Sequence, residues 1–222
     1  MSSHHVVRDD QEPALIIANG EACSDELLHQ LMEWSPFVLV LDGAVDRILE
    51  KGFRFDAWLG DFDSVQDQAF CQLPQYAHVE VVHTPDQEKT DLQKGIEFLI
   101  GKGFPAANIV WATGWRQDHA LTNVLTLPKY GDQLVLGLFD NHTRTYVLPK
   151  EFKKWYPKGT QLSLIPAGKA SGIETHNLVY NLNNGILELP YQTGSSNEVL
   201  SDGWVEIRYH EGHLLLIEVL RD

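Results

Sequence analysis

The stretch "FVLVLDGAVDRILEKG" (37–52) reads as a strand followed at once by a helix. Residues 37–42 form a continuous apolar run closed by Asp42. Such a run suits a strand covered on both faces. From Gly43 the spacing turns helical, and Gly52 ends it. Working outward, the same alternation repeats. "ALIIAN" (14–19), "AWLG" (57–60), "HVEVVHT" (78–84), "NIVWATG" (108–114) and "QLVLGLFD" (133–140) read as further strands. Helical spacing appears in "SDELLHQLMEW" (24–34), with Ser24 as its cap, and in "TDLQKGIEFLIGKG" (90–103), with Thr90 as its cap. "QDHALTNVLTLP" (117–128) is a helix that Pro128 stops. Strands alternating with helices predict a parallel, Rossmann-like sheet with helices on both faces.

The rhythm changes near residue 141. "TRTYVL", "TQLSLIP", "GILELP", "GWVEIRYH" and "HLLLIEVL" are short strands separated by turn residues: Asn183-Asn184-Gly185, Asp202-Gly203 and Glu211-Gly212. "HEGH" (210–213) reads as a hairpin turn. The chain is therefore expected to hold an α/β domain over 14–142 and a small antiparallel sandwich or barrel over 143–222.

In an open parallel sheet, ligands bind beyond the carboxyl ends of the strands. Acidic residues recur there. Asp42 ends one strand, Asp61 and Asp63 follow the next in "WLGDFDSV" (58–65), Asp86 and Asp91 follow the third, and Asp118 follows the fourth. Singly, each is an ordinary turn or helix-start residue. Asp91 suits the positive end of a helix, and Arg116 with Asp118 suits a plain ion pair. Jointly they converge on one rim. Carboxylates with Lys89 and Arg116 nearby suit Mg²⁺ and phosphate, since Mg²⁺ takes carboxylate, phosphate and water oxygens.

The chain has 222 residues, 17 Lys+Arg against 31 Asp+Glu, and a formal charge of −14. That charge argues against sequence-independent nucleic-acid binding. No run approaches the ~20 apolar residues of a membrane span. The start, "MSSHHVVRDDQEP", has no apolar centre; it reads as a frayed polar end and not as a secretory signal. Cys23 and Cys71 lie far apart and match no zinc spacing, which suits a reduced, cytoplasmic protein. Neither G-x-x-x-x-G-K-[ST] nor G-x-G-x-x-G nor H-E-x-x-H occurs.

Four elements in order resemble the thiamine pyrophosphokinase family: "LGDFDSV", "TPDQEKTDL", "TGWRQDHALTN" and "SSNEV" (195–199). The chain departs from the family pattern at three points. It has only Gly43 after Asp42, Trp115 in place of a glycine, and Tyr180 in "NLVYNL" as the aromatic ahead of the late motif. The resemblance implies transfer of a pyrophosphoryl group from ATP to thiamine, giving thiamine diphosphate and AMP. It implies Mg²⁺ at Asp61, Asp63 and Asp91 with Asp42 close by. Gln87, Thr90, Arg116 and Asp118 then surround the nucleotide and its phosphates, and Tyr180, Ser196 and Asn197 fall on the thiamine side. The proton acceptor is Asp63 or Asp91. Tyr180 either stacks on the pyrimidine ring or belongs to the core of the β domain. Family members are homodimers, with thiamine bound where the α/β domain of one subunit meets the β domain of the other. The rival readings are a pyrophosphokinase for another alcohol, such as a hydroxymethyl pterin, a non-catalytic nucleotide or thiamine sensor, and a metal-dependent phosphohydrolase.

Overall fold

A computed structural model describes residues 13–34, 36–62 and 73–220. The polar amino-terminal stretch, Asp63 and Cys71 lie outside the described residues. The chain divides into two compact units. One comprises the residues up to Thr126 with Gln133–Asp140; the other comprises Leu127–Asp132 and Asn141 onward.

The first unit is a parallel sheet. Its strands are β1 (Ala14–Ile17), β2 (Val38–Leu41), β3 (Ala57–Gly60), β4 (Glu80–His83), β5 (Ala106–Val110) and β6 (Val135–Phe139), in the spatial order β4-β3-β2-β1-β5-β6. Every pairing among them is parallel. All residues of β1, β2, β3 and β5 are buried, which explains runs without polar alternation. The order reverses between β1 and β5, so the crevice past their carboxyl ends is the switch point of the sheet.

Helices α1 (Asp25–Met32), α2 (Ala44–Lys51), α3 (Asp91–Gly101) and α4 (Gln117–Thr126) begin beyond strand ends and carry the chain back. Their starts follow local chemistry. The Ser24 side chain accepts from the Leu27 N–H. Thr90 and Gln93 form a reciprocal capping box at α3. Gly52 caps α2 in the left-handed conformation. Leu92, Ile96 and Leu99 make the buried stripe of α3, and burying each contributes about 1.5–3 kcal/mol.

Several boundaries differ from the sequence reading: the short strand expected at "TQLSLIP" runs on over Gln161–His176, and two others have a local cause. The strand expected over 108–114 spans Ala106–Val110, because Trp111 turns the backbone left-handed at φ 57°. Trp111 and Ala112 stay buried, so the apolar signal outlasts the strand. The α-helix expected to reach Pro128 ends at Thr126, and Pro128 sits inside a 3₁₀ turn, Leu127–Tyr130.

The second unit is built from β7 (Thr143–Val147), β8 (Glu151–Tyr156), β9 (Gln161–His176), β10 (Gly185–Glu188), β11 (Gly194–Glu198), β12 (Gly203–Arg208) and β13 (Glu211–Val219). Pairing is antiparallel throughout, in the order β7-β13-β9-β12-β8, with β10 and β11 also on β9. "HEGH" is not a hairpin turn. It joins β12 to β13, which both pair with the long β9 and not with each other. No helix among the described residues is long and apolar enough to cross a membrane.

Candidate functional site

A cleft of about 400 Å³ opens beyond the carboxyl ends of the parallel strands. The loops after β1, β2, β3, β4 and β5 contribute. Asn19 and Gly20 come from the end of β1, Asp42 from β2 and Asp61 from β3. Gln87, Lys89, Thr90 and Asp91 lead into α3. Trp115 and Arg116 lead into α4, and His119 and Asn123 lie on it. Of the residues singled out from sequence, Asp42, Asp61, Gln87, Lys89, Thr90, Asp91, Trp115 and Arg116 share this cleft. Asp118 does not line the cleft; it pairs with Arg116, whose Nε and Nη2 donate to the two carboxylate oxygens at 3.2 and 2.5 Å. Asp86 instead closes a turn, accepting from the Glu88 N–H at 2.9 Å.

Left-handed backbone concentrates at this rim. Asp42, Phe62, Trp111 and Trp115 have φ of 40°, 67°, 57° and 45°. Such values are unusual for bulky residues and gather at functional sites. Phe62 shows how the "DFD" stretch turns: its ring packs 4.0 Å from that of Trp58 and 5.6 Å from that of His83. Glycine permits two close approaches. A methyl group on Gly20 would sit 2.5 Å from the carbonyl oxygens of Trp111 and Thr113, so the β1 and β5 loops meet only through a glycine. A methyl on Gly60 would sit 3.0 Å from Asp42.

The cations lining the cleft are paired. Lys94, only 8% exposed, donates to the Asp91 carboxylate and to the Thr84 carbonyl, both at 3.1 Å. Lys89 lies 2.7 Å from Glu97, and Arg116 holds Asp118. The Gln87 amide donates to Asp61 at 2.9 Å. Asn123, buried on α4, donates to the Ala112 carbonyl at 2.8 Å and ties α4 to the β5 loop. Among the described residues no three His, Cys, Asp or Glu side chains converge as a metal-holding group. Asp42, Asp61 and Asp91 nevertheless present only oxygen donors to one cleft, the set a hard cation takes.

The guanidinium of Arg116 holds the Asp118 carboxyl down to about 2, with smaller help from the His119 backbone. The folded state therefore keeps Asp118 ionised as pH falls past its ordinary value of 3.8, and the favourable pairing is lost as pH falls through about 2. In Arg116→Gln the Asp118 carboxyl should titrate near its ordinary value, measured by carboxyl ¹³C shifts. An unchanged titration would remove Arg116 as the cause.

In the second unit, Tyr180, Ser196 and Asn197 form one local group. Asn197 is buried; its side chain accepts from the Tyr180 N–H at 3.0 Å and donates to the Tyr180 carbonyl at 2.8 Å. Ser196, at φ 57°, donates its N–H to Ser163 Oγ at 3.0 Å. Tyr180 is 71% exposed and is no core residue of that unit. The fixed backbone thus presents an exposed phenol ring.

Sequence reading missed Lys94, Asn19, His119 and Arg47, whose guanidinium donates to Asn19 at 3.0 Å. Only Lys94 left a local signal, a lysine three residues after Asp91 on the inward stripe of α3.

Residues 28–135 match the model of the thiamin pyrophosphokinase catalytic domain, and residues 145–214 match the thiamin pyrophosphokinase vitamin B1 binding domain. The chain is 26% identical over 211 residues to thiamin pyrophosphokinase 1 of Caenorhabditis elegans, covering 87% of this chain and 84% of the relative. It is similar in fold to the crystal structure of thiamine pyrophosphokinase from Bacillus subtilis, with a TM-score of 0.79 at 22% identity over 95% of this chain and 100% of the other. It is equally similar in fold to yeast thiamin pyrophosphokinase, with a TM-score of 0.79 at 15% identity over 96% and 88%. With both domain models matched in order along one chain, and the rim residues drawn into a single cleft, this protein belongs to the thiamin pyrophosphokinase family.

Proposed function

We propose that the protein transfers the pyrophosphoryl group of ATP to the hydroxyethyl group of thiamine, releasing AMP and thiamine diphosphate. The observation that carries this reading is the convergence of Asp42, Asp61, Gln87, Thr90, Asp91 and Arg116, from four separate loops, on one cleft at the switch point. In this reading the first unit is a Rossmann-like nucleotide domain. The second, a sandwich or barrel, supplies Tyr180, Ser196 and Asn197 to thiamine, and the protein acts as a homodimer in the cytoplasm.

Asp61 and Asp91, with Asp42 and, two residues past Asp61 in the chain, Asp63, would hold Mg²⁺, which supplies charge neutralisation along the polyphosphate. The need for it follows from the cleft: Lys89, Lys94 and Arg116 already face carboxylates, so they bring little uncompensated positive charge. Arg116 and Gln87 orient the phosphates, and the amino terminus of α3 at Thr90 adds a partial positive charge. The thiamine oxygen attacks the β-phosphorus as the bond from that phosphorus to the α-phosphate oxygen breaks. The alcohol proton passes to a carboxylate, Asp91 or Asp63. Most of the acceleration comes from alignment and electrostatics.

Incubation with ATP, Mg²⁺ and thiamine should give AMP and thiamine diphosphate in equal amounts, with little AMP when thiamine is left out. Chromatography of the nucleotides decides. ADP as the main product rejects pyrophosphoryl transfer. AMP formed only with a pterin alcohol rejects thiamine as the acceptor.

A further inference from the structure

We propose that Trp115 is the platform on which the nucleobase of the ATP stacks, and that Arg47 is the residue that positions it. This rests on reading the cleft as the ATP site.

Trp115 lines the cleft and is 69% exposed, more than Trp34, Trp155 or Trp204, the other exposed indoles among the described residues. Its backbone sits at φ 45°, a region costly for a bulky residue and freely open to glycine. Solvent contact and strain both oppose an indole here, so the fold must stabilise it in place. The Arg47 side chain does so. Its guanidinium lies 4.4 Å from the Trp111 ring and 4.9 Å from the Trp115 ring, and it donates to Asn19 at 3.0 Å. Trp111 is buried, so Arg47 is anchored from below and holds one face of Trp115. Burial holds the Arg47 guanidinium below its ordinary value, yet it remains a cation throughout the working range.

The other face of the indole is then available to a planar partner at the cleft. A polyphosphate has no flat apolar part; the base of a nucleotide does. Stacking on an aromatic ring tolerates different bases and rewards the larger ring system. Trp115 therefore adds affinity at the base end, while Arg116, the next residue, serves the phosphate end.

The test compares wild type with Trp115→Gly and Trp115→Phe. Glycine relieves the left-handed backbone, so Trp115→Gly should fold, and its melting curve checks this. The expected result is a rise of about ten- to a hundredfold in KM for ATP and in Kd for AMP in Trp115→Gly. Inorganic tripolyphosphate binding, KM for thiamine and kcat should stay within about twofold. Trp115→Phe should recover most of the loss. The wild-type preference for ATP over CTP should shrink in Trp115→Gly, because a pyrimidine stacks less. Unchanged ATP and AMP binding in Trp115→Gly overturns the platform while leaving the ATP site standing. A loss shared equally by tripolyphosphate also overturns it, since that reports a deformed cleft. Wild type that binds no ATP overturns the reading of the cleft itself.

Discussion

Asp91→Asn is expected to lower turnover by about a hundred- to a thousandfold at saturating ATP and thiamine, or ~3–4 kcal/mol of transition-state stabilisation. The substitution removes one negative charge and almost no volume. Asp91 lines the cleft and has one carboxylate oxygen on Lys94 at 3.1 Å, which leaves the other to serve a metal or accept a proton. Asparagine retains an oxygen for Lys94 and loses both functions. The fold should survive. The capping box joins Thr90 and Gln93 and does not use the Asp91 side chain. The Asp91–Lys94 pair is part-exposed at the Asp91 end but buried at Lys94, which keeps the Thr84 carbonyl and the asparagine oxygen as acceptors, so its weakening should cost about 1–3 kcal/mol. Steady-state AMP formation over a Mg²⁺ titration, with a melting curve beside it, makes the measurement. Glu88→Gln is the matched control: Glu88 is an exposed neighbour off the cleft, and its loss should change turnover less than twofold. Near wild-type turnover of Asp91→Asn at saturating Mg²⁺ would remove Asp91 from both roles.

Local chemistry was legible in the sequence. Ser24, Thr90 and Gly52 act within one turn of their own position, so three helix ends followed from them directly. The rim aspartates were legible for a related reason. Parallel strands send every carboxyl end to the same edge, so a repeated strand-Asp pattern places Asp42, Asp61 and Asp91 together without knowledge of any contact.

What could not be read depends on partners distant in the chain. Arg47 lies inside an ordinary amphipathic helix, and its role requires Trp111 and Trp115, more than sixty residues on. Gln87 meets Asp61 across 26 positions. The end of β5 was misplaced because burial and strand pairing are different properties: Trp111 is as buried as Val110 but left-handed. β8, "EFKKWY", was missed because its outward face is polar except for Trp155, which is half exposed. β11 was seen only as the "SSNEV" motif, since Gly, Ser and Asn are poor strand formers. Only its pairing with β9 makes it a strand.

Glu218→Ala is expected to destabilise the second unit by about 2–4 kcal/mol. Glu218 lies on β13 and is 6% exposed, a position where an unpaired carboxylate would be costly. Its Oε1 accepts from the Tyr156 hydroxyl and, at 2.7 Å, from Lys154 Nζ; its Oε2 lies 3.5 Å from the Tyr146 hydroxyl. Three strands, β7, β8 and β13, therefore meet at one carboxylate. Alanine leaves a buried phenol without its acceptor and opens a void. Lys154 is part-exposed and can turn to water, which keeps the loss below that of an enclosed ion pair. Glu218→Gln keeps an acceptor and should cost about 1–2 kcal/mol. Adding Tyr156→Phe to Glu218→Ala should cost less than the two single losses together, because the hydroxyl has already lost its partner. Urea midpoints supply all four values, and a Glu218→Ala loss below about 1 kcal/mol would refute the network. The same contacts fix the alkaline limit. Burial, and then the negative charge of Glu218, push the Tyr146 and Tyr156 hydroxyls well above their ordinary value of 10. Above that pH the unfolded chain loses two protons that the folded chain keeps. Stability from this network is thus complete below pH 10 and falls as pH rises further. In Glu218→Ala the smaller of the two causes is gone while burial remains, so the alkaline fall should begin at the same pH and end at a lower pH than in wild type.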